Sequence, residues 1–192
     1  MMLVRLFKDR GGASAAEFAL VLPLLLVFLF GIIDAGRLMW MSNQAEKAAQ
    51  MGARYAAVTD MIPSTLASRD FAMNGGVPGG EPVPTGLFST TVCDNASCSN
   101  GWGYDSFAFG ELADRIQLFF PEAKDDDIEV QYDNVGLGFA GDPNGPDVSP
   151  VITVRLKTVQ FRPLLFLAIK PVDLPDFASS ITAEDLSGNV SN

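Results

Sequence analysis

The sequence predicts an α+β protein with a long N-terminal helix, a second helix and a small antiparallel sheet. Residues 18–33 form an apolar run without a charged residue, which predicts a buried or membrane-embedded helix. Two later segments, Ile128–Tyr132 and Val151–Phe161, alternate apolar and polar side chains, which is the period of a strand with one buried face. A length of 192 residues allows one or two small domains.

The composition excludes several classes of functional site. With no His and only 2 Cys, the chain has neither an imidazole base nor a tetrathiolate zinc site. The 23 acidic residues outnumber the 13 basic ones, which argues against nucleic-acid binding. The acids at 125–127, Asp142 and Asp147 lack the spacing of a calcium loop, so we interpret them as solvated. We therefore predict no catalytic residue, no cofactor and no metal, and expect that the chain is not an enzyme.

The N-terminal helix is predicted to cross a membrane once. The segment from Ala13 to Ile33 contains a single charge, Glu17, and would rise about 31 Å as a helix. Basic residues prevail in the twelve residues before it, whereas Asp34 and Arg37 behind it cancel. The positive-inside rule then leaves the N-terminus in the cytoplasm. A cleaved secretory signal is the competing interpretation, but the residues just after the apolar run do not offer the required small pair.

The helix is expected to continue beyond the membrane to about Thr59, because no strong breaker precedes Pro63. A slim heptad-like seam runs along this extension: Leu38, Met41, Ala45, Ala48, Gly52 and Tyr55. The opposite face carries a polar row: Glu46, Gln50 and Arg54. The seam packs on the chain's own globular domain, on neighbouring subunits, or on both through different arcs of the helix.

The later chain is predicted to fold as a small α+β domain. Residues 74–86 are too rich in Gly and Pro for a helix, and Leu87–Val92 follows as a short strand. Ser106–Phe120 has the spacing of an amphipathic helix, and Ser180–Leu186 is predicted to supply the last strand. The predicted organisation has four segments: 1–12 as a leader, 13–60 as the helix, 61–104 as the Gly/Pro-rich segment and 105–192 as the α+β domain.

Two short features remain. If the region is exported, Cys93 and Cys98 are expected to form a local disulfide, which contributes about 2 kcal/mol. Their spacing of four intervening residues disfavours a catalytic dithiol.

The apolar segment Pro163–Ile169 is too short to cross a bilayer. It is either a buried turn or an exposed patch that touches the membrane surface or a partner.

The junction before the apolar run resembles the leader of type IV prepilins of the tight-adherence class. A short basic leader ends at Gly12, and Glu17 and Phe18 take the family's acidic and aromatic positions if Ala13 is the first mature residue. More narrowly, Arg10–Val58, less a few residues, is similar to TadE-like pseudopilins of tight-adherence (Flp) pilus systems. The remaining chain matches only in its general, pilin-like layout. Because Flp pilins are very short, the long region behind the helix fits a minor component better.

The resemblance implies a processing site and a set of partners. A prepilin peptidase would cut between Gly12 and Ala13. Glu17, with Phe18 beside it, would serve recognition or would pair with a neighbouring subunit. The implied partners are the prepilin peptidase, sister pseudopilins, the pilus assembly platform and membrane lipid. The implied location is the bacterial inner membrane, crossed once, with a cytoplasmic N-terminus and a periplasmic C-terminal domain, before any extraction into a pilus.

The sequence thus predicts a minor pseudopilin for tight-adherence pilus assembly. The alternative is an uncleaved, membrane-anchored periplasmic binding or sensor module, in which the helix is a plain tether and Glu17 is dispensable. An anchored enzyme has no supporting residue pattern.

Overall fold

A long helix opens the fold. The computed structural model describes residues 12–143, 145–164, 170–184 and 186. Helix α1, Ala13–Val58, is continuous, and Pro23 lies inside it without ending it. It is the one helix, among the described residues, that is long and apolar enough to cross a membrane. The predicted helix is therefore confirmed, whereas residues 1–11 of the predicted leader 1–12 lie outside the described residues.

Three helices and six strands follow α1 in the part of the chain that the structure describes. The helices are α2 (Ser64–Ala67), α3 (Phe71–Asn74) and α4 (Ser106–Gln117). The strands are β1 (Thr91–Cys93), β2 (Ile128–Asp133), β3 (Val151–Leu156), β4 (Gln160–Phe161), β5 (Val172–Asp173) and β6 (Phe177–Thr182). Short 3-10 turns occupy Ser99–Gly101 and Asp125–Asp127.

The main sheet has four strands in the order β1-β2-β3-β6, and every neighbouring pair is antiparallel. In β2 and β3 alternate side chains are buried, as the sequence pattern predicted. The pairing of Tyr132 with Ile152 puts both on the buried face. The predicted α+β class with a pilin-like layout is confirmed.

The observed strand ends differ from the predicted ones. The predicted strand Val151–Phe161 stops at Leu156, and Thr158 adopts a φ of 55° that breaks the extended backbone. Gln160–Phe161 then pairs with β5 in a separate two-stranded ladder. The last strand was predicted at Ser180–Leu186, whereas β6 begins at Phe177 and ends at Thr182. It pairs with β3 over its whole length.

The described residues divide into two compact units. One holds residues 12–41, 161–164 and 170–172, and the other holds the described residues of 42–160 and 173–186. Residues 161–164 and 170–172 therefore group with the apolar part of α1, which no sequence pattern indicated. Of the predicted apolar segment Pro163–Ile169, residues 165–169 lie outside the described residues.

In the second unit, the seam of α1 is buried and its polar row is exposed. Buried seam residues are Ala45, Ala48, Gly52 and Tyr55, whereas Glu46, Gln50 and Arg54 are exposed. At Gly52 an added Cβ would stand 2.8 Å from Cγ1 of Ile116 on α4 and 3.3 Å from Cγ1 of Val154 on β3. From Ala45 onwards the seam therefore packs on the chain's own domain, which decides among the interpretations left open above.

Helix α4 is the second structural layer of that unit. Asp105 caps its start by accepting hydrogen bonds from the backbone N–H groups of Phe107 and Ala108. The buried face is apolar: Phe109, Leu112, Ala113 and Ile116. The predicted amphipathic helix is confirmed, although it ends at Gln117, before the predicted Phe120.

Candidate functional site

The residues of the predicted processing and assembly site lie at the start of α1. Gly12 precedes the helix, Ala13 is its first residue, and Glu17 follows one turn later. The side chains of Glu17 and Phe18 are exposed, and Glu17 forms no ion pair within the described chain. Their order along the helix is as predicted, and cleavage between Gly12 and Ala13 stays a prediction.

Every large apolar side chain of the run behind Glu17 is exposed. The exposed fractions range from 38% at Leu22 to 80% at Leu20. Within the most apolar window of α1, no residue is buried by the rest of the chain. So much apolar surface would be unfavourable in water, whereas lipid or other apolar helices would cover it. The surface is long enough and apolar enough for one membrane crossing.

A polar cluster lies at the end of this apolar surface. Asp34 is 8% exposed, although most of its neighbours on α1 are exposed. Its Oδ1 accepts a hydrogen bond from Nη1 of Arg37 at 3.0 Å and another from the backbone N–H of Leu164 at 2.9 Å. Nη1 of Arg37 also donates to the carbonyl oxygen of Arg162 at 3.3 Å. We call Asp34, Arg37 and residues 161–164 the loop clasp.

The loop clasp also has an aromatic member. The guanidinium carbon of Arg37 lies 5.4 Å from the ring centroid of Phe161, within the range of a cation–π contact. Sequence reasoning treated Asp34 and Arg37 only as charges that cancel. Their spacing of three residues does indicate an ion pair on one helix face. Nothing in the sequence, however, indicated that residues 161–164 bind the same carboxylate.

Comparison with protein-family models gives one match over the same part of the chain. Residues 12–54 match the model described as TadE-like protein. The N-terminal segment of this chain is TadE-like. We call residues 12–54 the TadE-like segment; it includes Gly12, Glu17, Phe18 and the loop-clasp residues Asp34 and Arg37.

The match confirms the resemblance to TadE-like proteins of tight-adherence pilus systems, and it indicates a role in the assembly of such a pilus. No curated protein and no solved structure matches the chain.

The predicted disulfide is present in a tight turn at the end of β1. Cys93 and Cys98 are bonded, with Cα atoms 4.1 Å apart. Inside the turn, the carboxylate of Asp94 accepts hydrogen bonds from the backbone N–H groups of Ala96 and Ser97. These backbone donors hold the pKa of Asp94 below its ordinary value. The disulfide thus secures one turn rather than linking distant elements.

The acidic residues of the later loops serve local structure. Asp125 accepts a hydrogen bond from Gln117, Asp126 from Asn95 and Asp127 from Thr158. Asp147, which we predicted to be solvated, is buried instead, because it accepts hydrogen bonds from the backbone N–H groups of Phe71 and Asp142. In the part of the chain that the structure describes, no group of three or more acids and cysteines is placed to hold a metal ion.

An open cleft of about 490 Å³ lies beside α1 in the second unit. Its lining combines two cations, one acid and apolar side chains: Met51, Arg54, Tyr55, Ala57, Val58, Arg115, Ile181 and Glu184. Burial, with a smaller contribution from Glu111, raises the pKa of Tyr55. Tyr55 therefore stays protonated at neutral pH and offers a hydroxyl rather than a base. The expectation that the chain is not an enzyme stays a prediction.

Proposed function

We propose that the chain is a minor pseudopilin of a tight-adherence (Flp) pilus, processed after Gly12 by a prepilin peptidase. Two features that occur together at the start of α1 support the proposal. The TadE-like segment begins at Gly12 and contains Glu17 and Phe18 in the family's order. These residues stand at the start of a helix whose apolar run, residues 18–33, exposes all its large apolar side chains.

Processing would give Glu17 a charged partner. Cleavage before Ala13 creates an α-amine one helical turn from the Glu17 carboxylate, and residues at i and i+4 share a helix face. A carboxylate within a membrane is unfavourable by about 3 kcal/mol at mid-depth unless it is paired. The amine of the same chain, or that of a neighbouring copy, would supply the pairing. The exposure of Glu17 supports access by a neighbour.

The packing of α1 supports an assembly contact within the membrane. From Ala45 to Ala57 the seam is covered by the chain's own domain and is not available to another subunit. The apolar run 18–33 has no such cover. We therefore propose that sister pseudopilins contact residues 13–33, in the inner membrane. The N-terminus would face the cytoplasm and the C-terminal domain the periplasm, and the assembly platform would act on the processed chain.

The first test is the mass of the chain in its native host. The intact mass of the mature protein should lack residues 1–12 in cells that contain the prepilin peptidase. It should retain them in cells without the peptidase, and in a Gly12→Val variant. A full-length chain in wild-type cells would contradict the proposal and favour the uncleaved, anchored binding or sensor module.

The second test separates the role of Glu17 from that of any acid on α1. Glu17→Gln should reduce pilus formation and adhesion, because the amide cannot pair with an α-amine. Glu46→Gln is the matched control, since Glu46 is an exposed acid on the same helix. It should leave both readouts unchanged. Wild-type pili in the Glu17→Gln strain would show that the acid is not used in assembly.

A further inference from the structure

We propose that residues 161–164, held on α1 by Asp34 and Arg37, form a second membrane contact that lies at headgroup depth and binds anionic phospholipid. The proposal rests on one part of the proposed function, the insertion of α1 in a membrane. It does not depend on processing at Gly12 or on pilus assembly.

The position of the loop clasp on α1 sets its depth. Asp34 directly follows Ile33, the last residue of the apolar run. Trp40, further along α1, is 69% exposed, and exposed tryptophans concentrate at the membrane–water interface. Asp34 and Trp40 are separated by about 9 Å along the helix axis. The clasp therefore binds the loop at the level where hydrocarbon gives way to headgroups.

The loop clasp supplies hydrogen-bond partners to two backbone groups of the loop that would otherwise be unfavourable at this depth. The Asp34 carboxylate is neutralised by Arg37 and also satisfies the backbone N–H of Leu164. The carbonyl oxygen of Arg162 accepts from Arg37. An unsatisfied amide or carbonyl is unfavourable near hydrocarbon, so these bonds prepare the loop backbone for the interface. The side chain of Leu164 remains 44% exposed and is available to lipid.

The charge of the loop selects the lipid. The protein has a net charge of −10, yet no acid occurs between Phe161 and Val172. The same stretch contains two cations, Arg162 and Lys170, and both are exposed. Cations at the membrane surface attract anionic headgroups, and their long stems allow them to reach the phosphates. Arg162, which the loop clasp holds beside α1, and Lys170 of the same compact unit therefore match an anionic headgroup.

The depth of the loop can be measured by fluorescence on the full chain in vesicles of phosphatidylethanolamine and phosphatidylglycerol. Trp40 and Trp102 are replaced by Phe, and a single tryptophan is introduced by Leu164→Trp. Brominated lipid should quench its fluorescence and acrylamide should not. Val27→Trp, inside the apolar run, is the control for a lipid-embedded position. Leu118→Trp is the control for an exposed position, directly after the end of α4.

Each outcome has one meaning. Quenching of the Leu164→Trp variant at a shallower depth than that of Val27→Trp supports the proposal. If only Val27→Trp is quenched by lipid, α1 is inserted but the loop does not contact the membrane, and the proposal is overturned. If neither is quenched, the anchoring of α1 itself is wrong, and that part of the proposed function fails with it.

Two further variants test the mechanism in the same background. Adding Asp34→Ala should lower the quenching of the Leu164→Trp variant, because the loop loses its acceptor on α1. Asp114→Ala, at an exposed acid of α4, should leave it unchanged. Replacing both Arg162 and Lys170 by Gln should abolish any difference between vesicles with and without phosphatidylglycerol. Unchanged quenching in the Asp34→Ala variant would overturn the role of the clasp, and a difference between the two vesicle types that persists in the double Gln variant would overturn the role of the cations.

Discussion

The carboxylate of Asp34 accepts a hydrogen bond of 2.9 Å from the backbone N–H of Leu164, a residue 130 positions further along the chain. The bond joins the end of the apolar run to a loop that follows the central strand of the sheet. Because Arg37 binds both Asp34 and the carbonyl of Arg162, the loop is held by side chains of a single helical turn. The part of α1 up to Met41 and residues 161–164 therefore belong to one compact unit.

The loop clasp predicts a local effect of Asp34→Ala on hydrogen exchange. Hydrogen bonds to charged groups contribute about 1.5–3 kcal/mol, and about 1.4 kcal/mol corresponds to a tenfold change. Amide exchange in a peptide covering residues 161–164 should therefore accelerate by roughly tenfold or more. Exchange in β2 and β3 should not change. Equal protection in the variant and in the wild type would show that the bond contributes nothing in solution, and Asp114→Ala serves as the charge control.

The close approach at Gly52 predicts that an added methyl group is unfavourable there. Gly52→Ala would gain about 1 kcal/mol of helix propensity. The new Cβ, however, would stand 2.8 Å from Cγ1 of Ile116, and overpacking of this kind is unfavourable by about 1–3 kcal/mol. We expect a net loss in the free energy of unfolding, measured by denaturant titration of the full chain in detergent.

The matched control for Gly52 is Gly110 on α4. No atom lies within 4 Å of the position of its added Cβ. Gly110→Ala should therefore stabilise the protein by about 0.5–1 kcal/mol. Combining Gly52→Ala with Ile116→Val should recover part of the loss, because a smaller side chain relieves the contact. Stabilisation by Gly52→Ala alone would contradict the observed packing.

The disulfide turn predicts a modest response to reduction. Bridging residues five positions apart closes a short loop and contributes about 2 kcal/mol. Reduction should therefore lower Tm by about 5 °C without unfolding the domain. In a variant with both Cys93 and Cys98 replaced by Ala, reductant should have no effect on Tm. Complete unfolding on reduction would show that the bond supports more than the turn.

The environments of the three tyrosines predict the pH at which their hydroxyl groups ionise. Burial is the main cause that raises the pKa of Tyr55, Tyr104 and Tyr132, and the effect is largest for the fully buried Tyr132. In the folded protein, tyrosinate absorbance should therefore develop above the ordinary value of 10.0, whereas in denaturant it should develop near that value. Tyr132→Phe should remove the component that titrates last.

The same shift fixes the sign of the effect on stability. A phenol with a raised pKa holds its proton more tightly in the folded state, so the unfolded chain ionises first. The stabilisation is complete below pH 10.0 and is lost as the pH rises beyond it. Denaturant midpoints measured on both sides of that pH should fall on the alkaline side, and an increase there would contradict the burial of Tyr132.

The sequence by itself determined the features that depend on local pattern. The charge-free run and the missing breakers predicted α1 to within one residue of its observed end at Val58, because periodicity and Pro63 are local signals. The alternation of Ile128–Tyr132 predicted β2, and the resemblance at Gly12–Phe18 predicted the TadE-like segment. The disulfide followed from the spacing of its cysteines and the expected export.

Only the tertiary structure decided which distant groups meet. The burial of Asp147 depends on backbone N–H groups at Phe71 and Asp142, which no periodicity relates to it. The hydrogen bond from the backbone N–H of Leu164 to Asp34 joins residues 130 positions apart, and the sequence shows Asp34 only as an ordinary flanking charge. Such contacts are set by the path of the whole chain. A hydrogen bond requires donor and acceptor to lie within about 3 Å of each other, and the local sequence around one of them does not identify the other.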